Sequence, residues 1–405
     1  MAMRILIISS NYFPEPMGIG PYTTDLAHML ISDGHDVSVI TSFPYYPWWK
    51  TPSHLESFAE VHSIINEVRV YRTPLKFGAS SKTLGRIFFE LRMWLGLRRV
   101  HRRIKDNKFD KVISVIPSLG AGLVARKVAK KSKALHYLII QDITANGALE
   151  SGMSFGSLLQ RLIFPLERLI VRSAKSIAVI SQSMIAPVKV MAGDSTDVTV
   201  LPNYEIESLK PIEKLTRVDF DLPLDKFIVM HAGSIAKKQD LLNLVKTALL
   251  LDSTNVHFYL FGHGNAEEEI FAASQDVTNF FIRPPVSPEQ FSSLLSCADL
   301  LIVNERPTQM SMSLPSKLIS YFGSGVPVIG AVPRFGATYK AIEGLAFWVE
   351  AGEPILLAST IQEIIVSADA RKFYANAASE YFEAHLQNEQ GRKRYLSWLM
   401  DSRTS

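Results

Sequence analysis

The sequence predicts an α/β protein of two units, each a parallel β-sheet with helices on both faces. Short apolar runs rich in β-branched residues alternate with helical stretches: residues 4–9, then "KVISVI" from 111, "LHYLII" from 135, "SIAVIS" from 176, "FIVMHAG" from 227, "HFYLFG" from 257 and "DLLIVN" from 299. The 405 residues exceed what one ordinary core organises and fit two domains. A polar, proline-bearing stretch, "LPNYEIESLKPIEKLTR" at 201–217, forms the joint. The expected boundaries are 1–202 and 203–384; a C-terminal helix at about 385–405 is free to pack back on the first unit, though sequence does not place it.

The first unit opens on a strand at 4–9, a turn at Gly18 and Gly20, and a helix from about Pro21 to Ser32. Proline suits a helix start, because its missing N–H needs no partner there. Glycines let backbone approach a bulky group, and a helix N-terminus offers free N–H groups to an anion. The turn therefore holds either a phosphate or sugar, or only the chain's own geometry. A dinucleotide fingerprint would need a third glycine where Thr23 stands and an acid near the end of the second strand, 37–41, which runs instead into "SFPYYPWWK". An NAD-dependent oxidoreductase is thereby disfavoured.

Cys297 is the only cysteine, so an intrachain disulfide and cysteine-based metal sites are excluded. No secretory leader and no run of about 18 apolar residues is visible, which sets the expectation of a cytoplasmic protein without a membrane span. The formal charge of +4 conceals an asymmetry: residues 1–200 hold 25 Lys and Arg against 15 Asp and Glu, the remainder 18 against 24. The basic half should face an anionic partner.

Residues 82–105 concentrate that charge, placing Phe88, Phe89, Trp94, Arg98, Arg99, Arg102 and Arg103 among eight basic residues and one acid, Glu90. Such a helix either lies on anionic headgroups or buries one face and solvates its arginines. A second apolar and basic stretch, 157–175, could enlarge the surface, with Pro165 expected to kink or break its helix. No nucleic-acid-binding module surrounds the patch.

Ligands in open α/β units sit at the carboxyl ends of strands, which directs attention to four loops. They carry Glu15, Gly18 and Gly20; Gln141 and Asp142; Gly233, Ser234, Lys237 and Lys238; and Asn304, Glu305 and Arg306. Backbone N–H groups at Gly233 and Ser234 with Lys238 would take up charge on a departing pyrophosphate; otherwise the loop is a solvated surface turn. Asp142 is either a general base or a helix cap. His263, between Gly262 and Gly264, contacts a phosphate or sugar or merely turns the chain. Asp219 and Asp221 lie in the joint rather than at a strand end, and no metal is expected there.

Taken together, "PEPMGIGPYTTDLAHML", "DGHDVSVIT", "HAGSIAKKQDL", "LFGHG" and "LPSKLISYFGSGVPVIG" resemble, in order and over nearly the whole chain, the retaining glycosyltransferase family four of GT-B fold. The "PEPxGIGxYT" and "PSKL" forms resemble transferases of colanic acid and O-antigen assembly, among them N-acetyl-L-fucosamine transferases of enterobacterial O-antigen clusters. The resemblance implies two Rossmann-like domains facing across a cleft. It implies a UDP-sugar donor, no metal, and an undecaprenyl-diphosphate-linked acceptor of N-acetylglucosamine type, used at the inner membrane's cytoplasmic face.

By the same resemblance Gly18 and Gly20 would line donor phosphate and acceptor, and Gly233, Ser234 and Lys238 would hold the diphosphate. Gly262 and His263 would form the next turn, Arg283 and Pro284 would pass the base, and Pro315, Ser316, Lys317 and Ser320 would approach nucleotide and sugar. Two positions depart from the family pattern. Ser320 and Met312 stand where it has paired glutamates, leaving Lys317 or Glu305 to compensate; Gln141 stands where many members have histidine, leaving Asp142 or Glu15 as the polar catalyst. Inversion would need such a base, whereas retention would use the leaving phosphate. GDP-fucose or another UDP-sugar is the alternative donor, and a non-catalytic nucleotide-binding protein the alternative class.

Overall fold

The computed structural model describes residues 2–46, 48–74, 83–104, 108–143, 156–193, 196–206, 215–252, 254–308 and 315–401. It divides into two compact units, Met1–Pro202 with Arg392–Ser405, and Asn203–Gly391. The first contains β1 (Arg4–Ser9), β2 (Asp36–Ser42), β3 (His62–Ile65), β4 (Val68–Thr73), β5 (Lys111–Ile116), β6 (Leu135–Ile140), β7 (Ser176–Val179) and β8 (Asp197–Val200). They form one sheet in the order β3-β4-β2-β1-β5-β6-β7-β8, parallel throughout except for β3 at the edge. Runs such as "KVISVI" are buried along their whole length because helices cover both faces.

One face of this sheet carries a core in which Leu6, Ile8, Ile40 and Val112 meet Met93, Leu97 and Val100 of helix Thr83–His101 and Val124, Ala125 and Val128 of helix Leu119–Ser132. The two helices pack closely, since a Cβ on Gly120 would lie 2.7 Å from the Trp94 backbone nitrogen. Glu90 accepts hydrogen bonds from Gly120 N–H and Ser118 Oγ, both at 2.9 Å, setting a carboxylate at the second helix's positive end. Helix Gly156–Val171 continues through Pro165, which was expected to kink or break it, so the helix is not broken there. Pro165 and Arg161 are both exposed, so water can serve the carbonyl that loses its donor.

Helix Asn388–Met400 crosses from one unit to the other. Beyond residue 391 its Trp398 sits edge-on to Tyr137 and donates to Ser176 Oγ at 2.8 Å, and Tyr395 donates to the Leu201 carbonyl.

The second unit holds β9 (Phe227–Ala232), β10 (Val256–Phe261), β11 (Phe280–Arg283), β12 (Leu300–Asn304), β13 (Val328–Ala331) and β14 (Phe347–Val349), parallel in the order β11-β10-β9-β12-β13-β14. Alternation decides the packing. Ile228, Met230, Leu301 and Val303 enter one core, while Val229, Leu300 and Ile302 enter the core on the opposite face. Strand order reverses at β1 in the first sheet and at β9 in the second, and crevices at such reversals accept ligands.

Candidate functional site

In the first unit the loop leaving β1 turns back on a buried carboxylate. Glu15 Oε1 accepts the backbone N–H groups of Tyr45 and Tyr46, both at 2.8 Å, while Oε2 is enclosed without a hydrogen-bond partner. Burial pushes the Glu15 carboxyl up to about 7, with the donated N–H groups restraining the rise. Gly18 adopts φ +71°, and a Cβ there would fall 2.9 Å from the Tyr46 ring. A Cβ on Gly20 would come within 3.0 Å of Glu15 Cβ. Helix Gly20–Ser32 starts beside them with Pro21 in its first turn and no side-chain cap. Arg72, 1% exposed, donates to the Phe13 carbonyl in the same loop.

Asp142 stands two strands away from that loop, exposed at the end of β6, its Oδ1 accepting from Ile143 N–H at 2.8 Å. Gln141 beside it is buried.

The second unit brings its predicted residues closer together. Gly233 (φ +132°) and Gly262 (φ +156°) lie where the turns after β9 and β10 stack, and a Cβ on Gly262 would fall 1.8 Å from the Gly233 carbonyl oxygen. Only glycine fits there. Lys317 Nζ lies 3.0 Å from His231 Nε2, and a Cβ built on Gly233 would be 3.7 Å from that Nζ. Burial and the neighbouring Lys238 charge lower the Lys317 ammonium to about 7, against the pull of Glu305. Burial likewise raises Glu305, against the Thr338 hydroxyl that donates to Oε1 at 2.7 Å and the charges of Lys238 and Lys317. His231, wholly buried beside Lys317, is held far below its ordinary value and is neutral.

These groups form a compact set: two lysines, a buried carboxyl and a neutral imidazole under a glycine-built turn. Asn304 fixes the turn, donating to the Gln239 and Asp240 carbonyls. Tyr321 does the same for β9, since its hydroxyl accepts from Ala232 N–H at 2.9 Å. Ser234 and Lys238 are exposed, open to a ligand.

His263 is directed to Glu267, 3.0 Å away, and Arg283 lies over the Phe281 ring at the end of β11, followed by exposed Pro284. Pro315, Ser316 and Ser320 flank the start of helix Lys317–Phe322, Ser316 exposed and the others partly buried. Met312 lies outside the described residues. Asp219 accepts from Thr216 N–H and Oγ1 in a local turn. Sequence reasoning missed His231, Thr338 and Arg72. A histidine closing an apolar strand just before "AG" was the available signal for the first.

Helix Thr83–His101 buries Met93 and Leu97 and leaves Phe88 57% exposed, with Ile87, Leu91 and Leu95 also exposed. Arg99, Arg102 and Arg103 are exposed and Arg98 partly so. Phe89, expected on the same surface, instead packs on Tyr45 and Trp49 with ring centroids 5.4 and 5.8 Å apart. No helix among the described residues is long and apolar enough to cross a membrane, and none of their His, Cys, Asp and Glu side chains cluster in a metal-binding group.

Residues 17–204 match the family model of the glycosyl transferase 4-like domain. The chain is 27% identical over 412 residues to an Escherichia coli (strain K12) protein described as a colanic acid biosynthesis glycosyl transferase, WcaI, covering 98% of this chain and 99% of the other. Among solved structures it is similar to sucrose-phosphate synthase from Thermosynechococcus elongatus (TM-score 0.75, 14% identity, 98% of both chains). It is also similar to Anabaena HepE in complex with UDP and glucose (0.68, 15%, 98% and 99%) and to WaaG, a glycosyltransferase involved in lipopolysaccharide biosynthesis (0.67, 15%, 99% and 100%).

Proposed function

We propose that this chain, whose residues 17–204 match the glycosyl transferase 4-like domain, is a GT-B glycosyltransferase that moves a sugar from UDP to a lipid-linked acceptor in building a bacterial surface polysaccharide. The donor is UDP-N-acetyl-L-fucosamine and the acceptor an undecaprenyl-diphosphate-linked saccharide of N-acetylglucosamine type, used at the cytoplasmic membrane face. The observation that carries the reading is the set of Lys238, Lys317 and Glu305 beneath the turns of Gly233 and Gly262, at the strand reversal of the second sheet. A diphosphate there meets two cationic side chains and backbone N–H groups, so the leaving nucleotide is stabilised by the protein alone, without metal. The bound UDP in Anabaena HepE and the description of the E. coli relative support the same donor and pathway class.

Glu15 and Asp142 divide the remaining chemistry. Glu15, near neutrality in its buried seat, is suited to hold or move a proton at Oε2. Asp142, exposed at the end of β6, acts on the acceptor hydroxyl.

The test is thermal stabilisation by UDP, GDP, ADP, NAD and UDP-N-acetyl sugars, without metal. At ligand concentrations about a hundredfold above Kd a binder adds about 2.7 kcal/mol. UDP compounds alone should raise Tm, and Lys238→Ala should weaken their binding by about tenfold or more. A response to GDP alone overturns the donor, and one to NAD alone overturns the whole reading.

A further inference from the structure

Away from these loops, the C-terminal halves of helices Thr83–His101 and Leu119–Ser132 enclose a groove of about 210 Å³. Its polar lining is almost purely cationic: Arg98 from the first helix and Arg102 from the turn that continues it, Lys127 and Lys131 from the second, with His101 and the Trp94 indole between them. None of these four cations pairs with a carboxylate among the described residues. Arg98 stacks 5.4 Å from the Trp94 ring, and its Nε is enclosed without a hydrogen bond. Four like charges around one small volume repel one another, and an anion entering it relieves that repulsion.

The neighbouring surface identifies the anion's source. Ile87, Leu91 and Leu95, exposed at i, i+4 and i+8, continue at i+11 and i+15 as Arg98 and Arg102, so one helical stripe passes from apolar to basic. Phe88, also exposed, widens the apolar end. A soluble phosphate would use the groove and have no use for that stripe. An anionic phospholipid uses both, its acyl region against the apolar end and its phosphate against the basic one.

We propose that this groove is a headgroup site that seats the phosphate of an anionic lipid between Arg98, Arg102, Lys127 and Lys131. It deepens the reading that the chain works at a bilayer and adds a discrete site to a general charge attraction. The second helix supplies half of that site, although its sequence marks it only as an ordinary amphipathic element. Because helix Leu119–Ser132 runs back from the carboxyl end of β5, Lys131 lies toward the strands' amino ends, away from Glu15, Gly18 and Asp142. The lipid contact is therefore separate from the loops assigned to transfer.

The experiment is flotation of the full-length protein with vesicles of phosphatidylglycerol and phosphatidylcholine, or phosphatidylcholine alone, at fixed salt. Wild type should bind the anionic vesicles, and Lys127→Gln with Lys131→Gln should weaken that binding roughly thirtyfold. Its Tm and UDP binding should stay unchanged, because both lysines are exposed and neither belongs to the donor site. Lys130→Gln with Lys133→Gln removes the same charge from the same helix end outside the groove lining and should weaken binding several-fold less. Equal losses from the two pairs overturn the site in favour of diffuse attraction. No binding by wild type overturns the bilayer reading itself. Protection of Tm by inorganic phosphate that depends on Lys127 and Lys131, without vesicle binding, assigns the groove to a soluble anion and overturns the lipid.

Discussion

Lys317 and its neutral partner His231 make the second unit's site sensitive to pH in a direction that can be worked out. The ammonium is lowered to about 7, below its ordinary 10.5. The unfolded chain thus holds more protons between those values, and this group's contribution to stability rises with pH across that window. Donor binding runs the other way, because a diphosphate favours the charged lysine. A nucleotide sugar, whose diphosphate does not titrate in this range, should bind progressively more weakly from pH 7 to 9; Lys317→Met should bind weakly at every pH with a flat profile. Calorimetric titration with a UDP-N-acetyl sugar checks both. Lys317 was legible because it stood in a segment similar to the family's donor helix. Its partners were not. His231 occupies an inward position of β9, where alternation alone reads it as core, and Thr338 reaches Glu305 from 33 residues away. Such contacts exist only once β12 and the helix at 337–342 have been placed by the sheet.

At the scale of elements, charge in a basic helix acquires a purpose that its own sequence hides. Glu90 is the lone acid of residues 82–105, and its carboxylate caps a neighbouring helix. Glu90→Ala should cost about 2 kcal/mol and lower Tm by roughly 4–8 °C, measured by calorimetry, since it removes two hydrogen bonds from a helix N-terminus. The stacked turns after β9 and β10 were readable because glycine is required where backbone closes on backbone, as at Gly262. Pro165 does not break its helix, for the complementary reason. A helix interrupted on its wet side loses little, and sequence does not tell which side is wet.

At the scale of the molecule, two parallel sheets followed from apolar runs alternating with helical stretches, and those runs became β1, β5, β6, β7, β9, β10 and β12. Strands β3, β4, β8, β11 and β14 went unforeseen, since segments such as "HSII" and "DVTV" are too short and mixed to signal a strand. Each sheet nevertheless places its candidate loops by one topological feature, the reversal at β1 or β9. Removing residues 392–405 should lower the first unit's stability much more than an exposed tail would, because Tyr395, Trp398 and Leu399 are buried. Limited proteolysis of that truncation should cut first within 1–202 and leave 203–391 the more resistant part.

The docking of Trp398 on Tyr137 and Ser176 also orders events during synthesis. On the ribosome, residues 1–202 emerge long before residues 392–400 exist, and translation at about 5–20 residues per second separates them by roughly 10–40 s. Through that interval the first unit's sheet lacks the piece that covers Tyr137, so it is a standing client for chaperones, while the second unit is translated whole before the missing helix arrives.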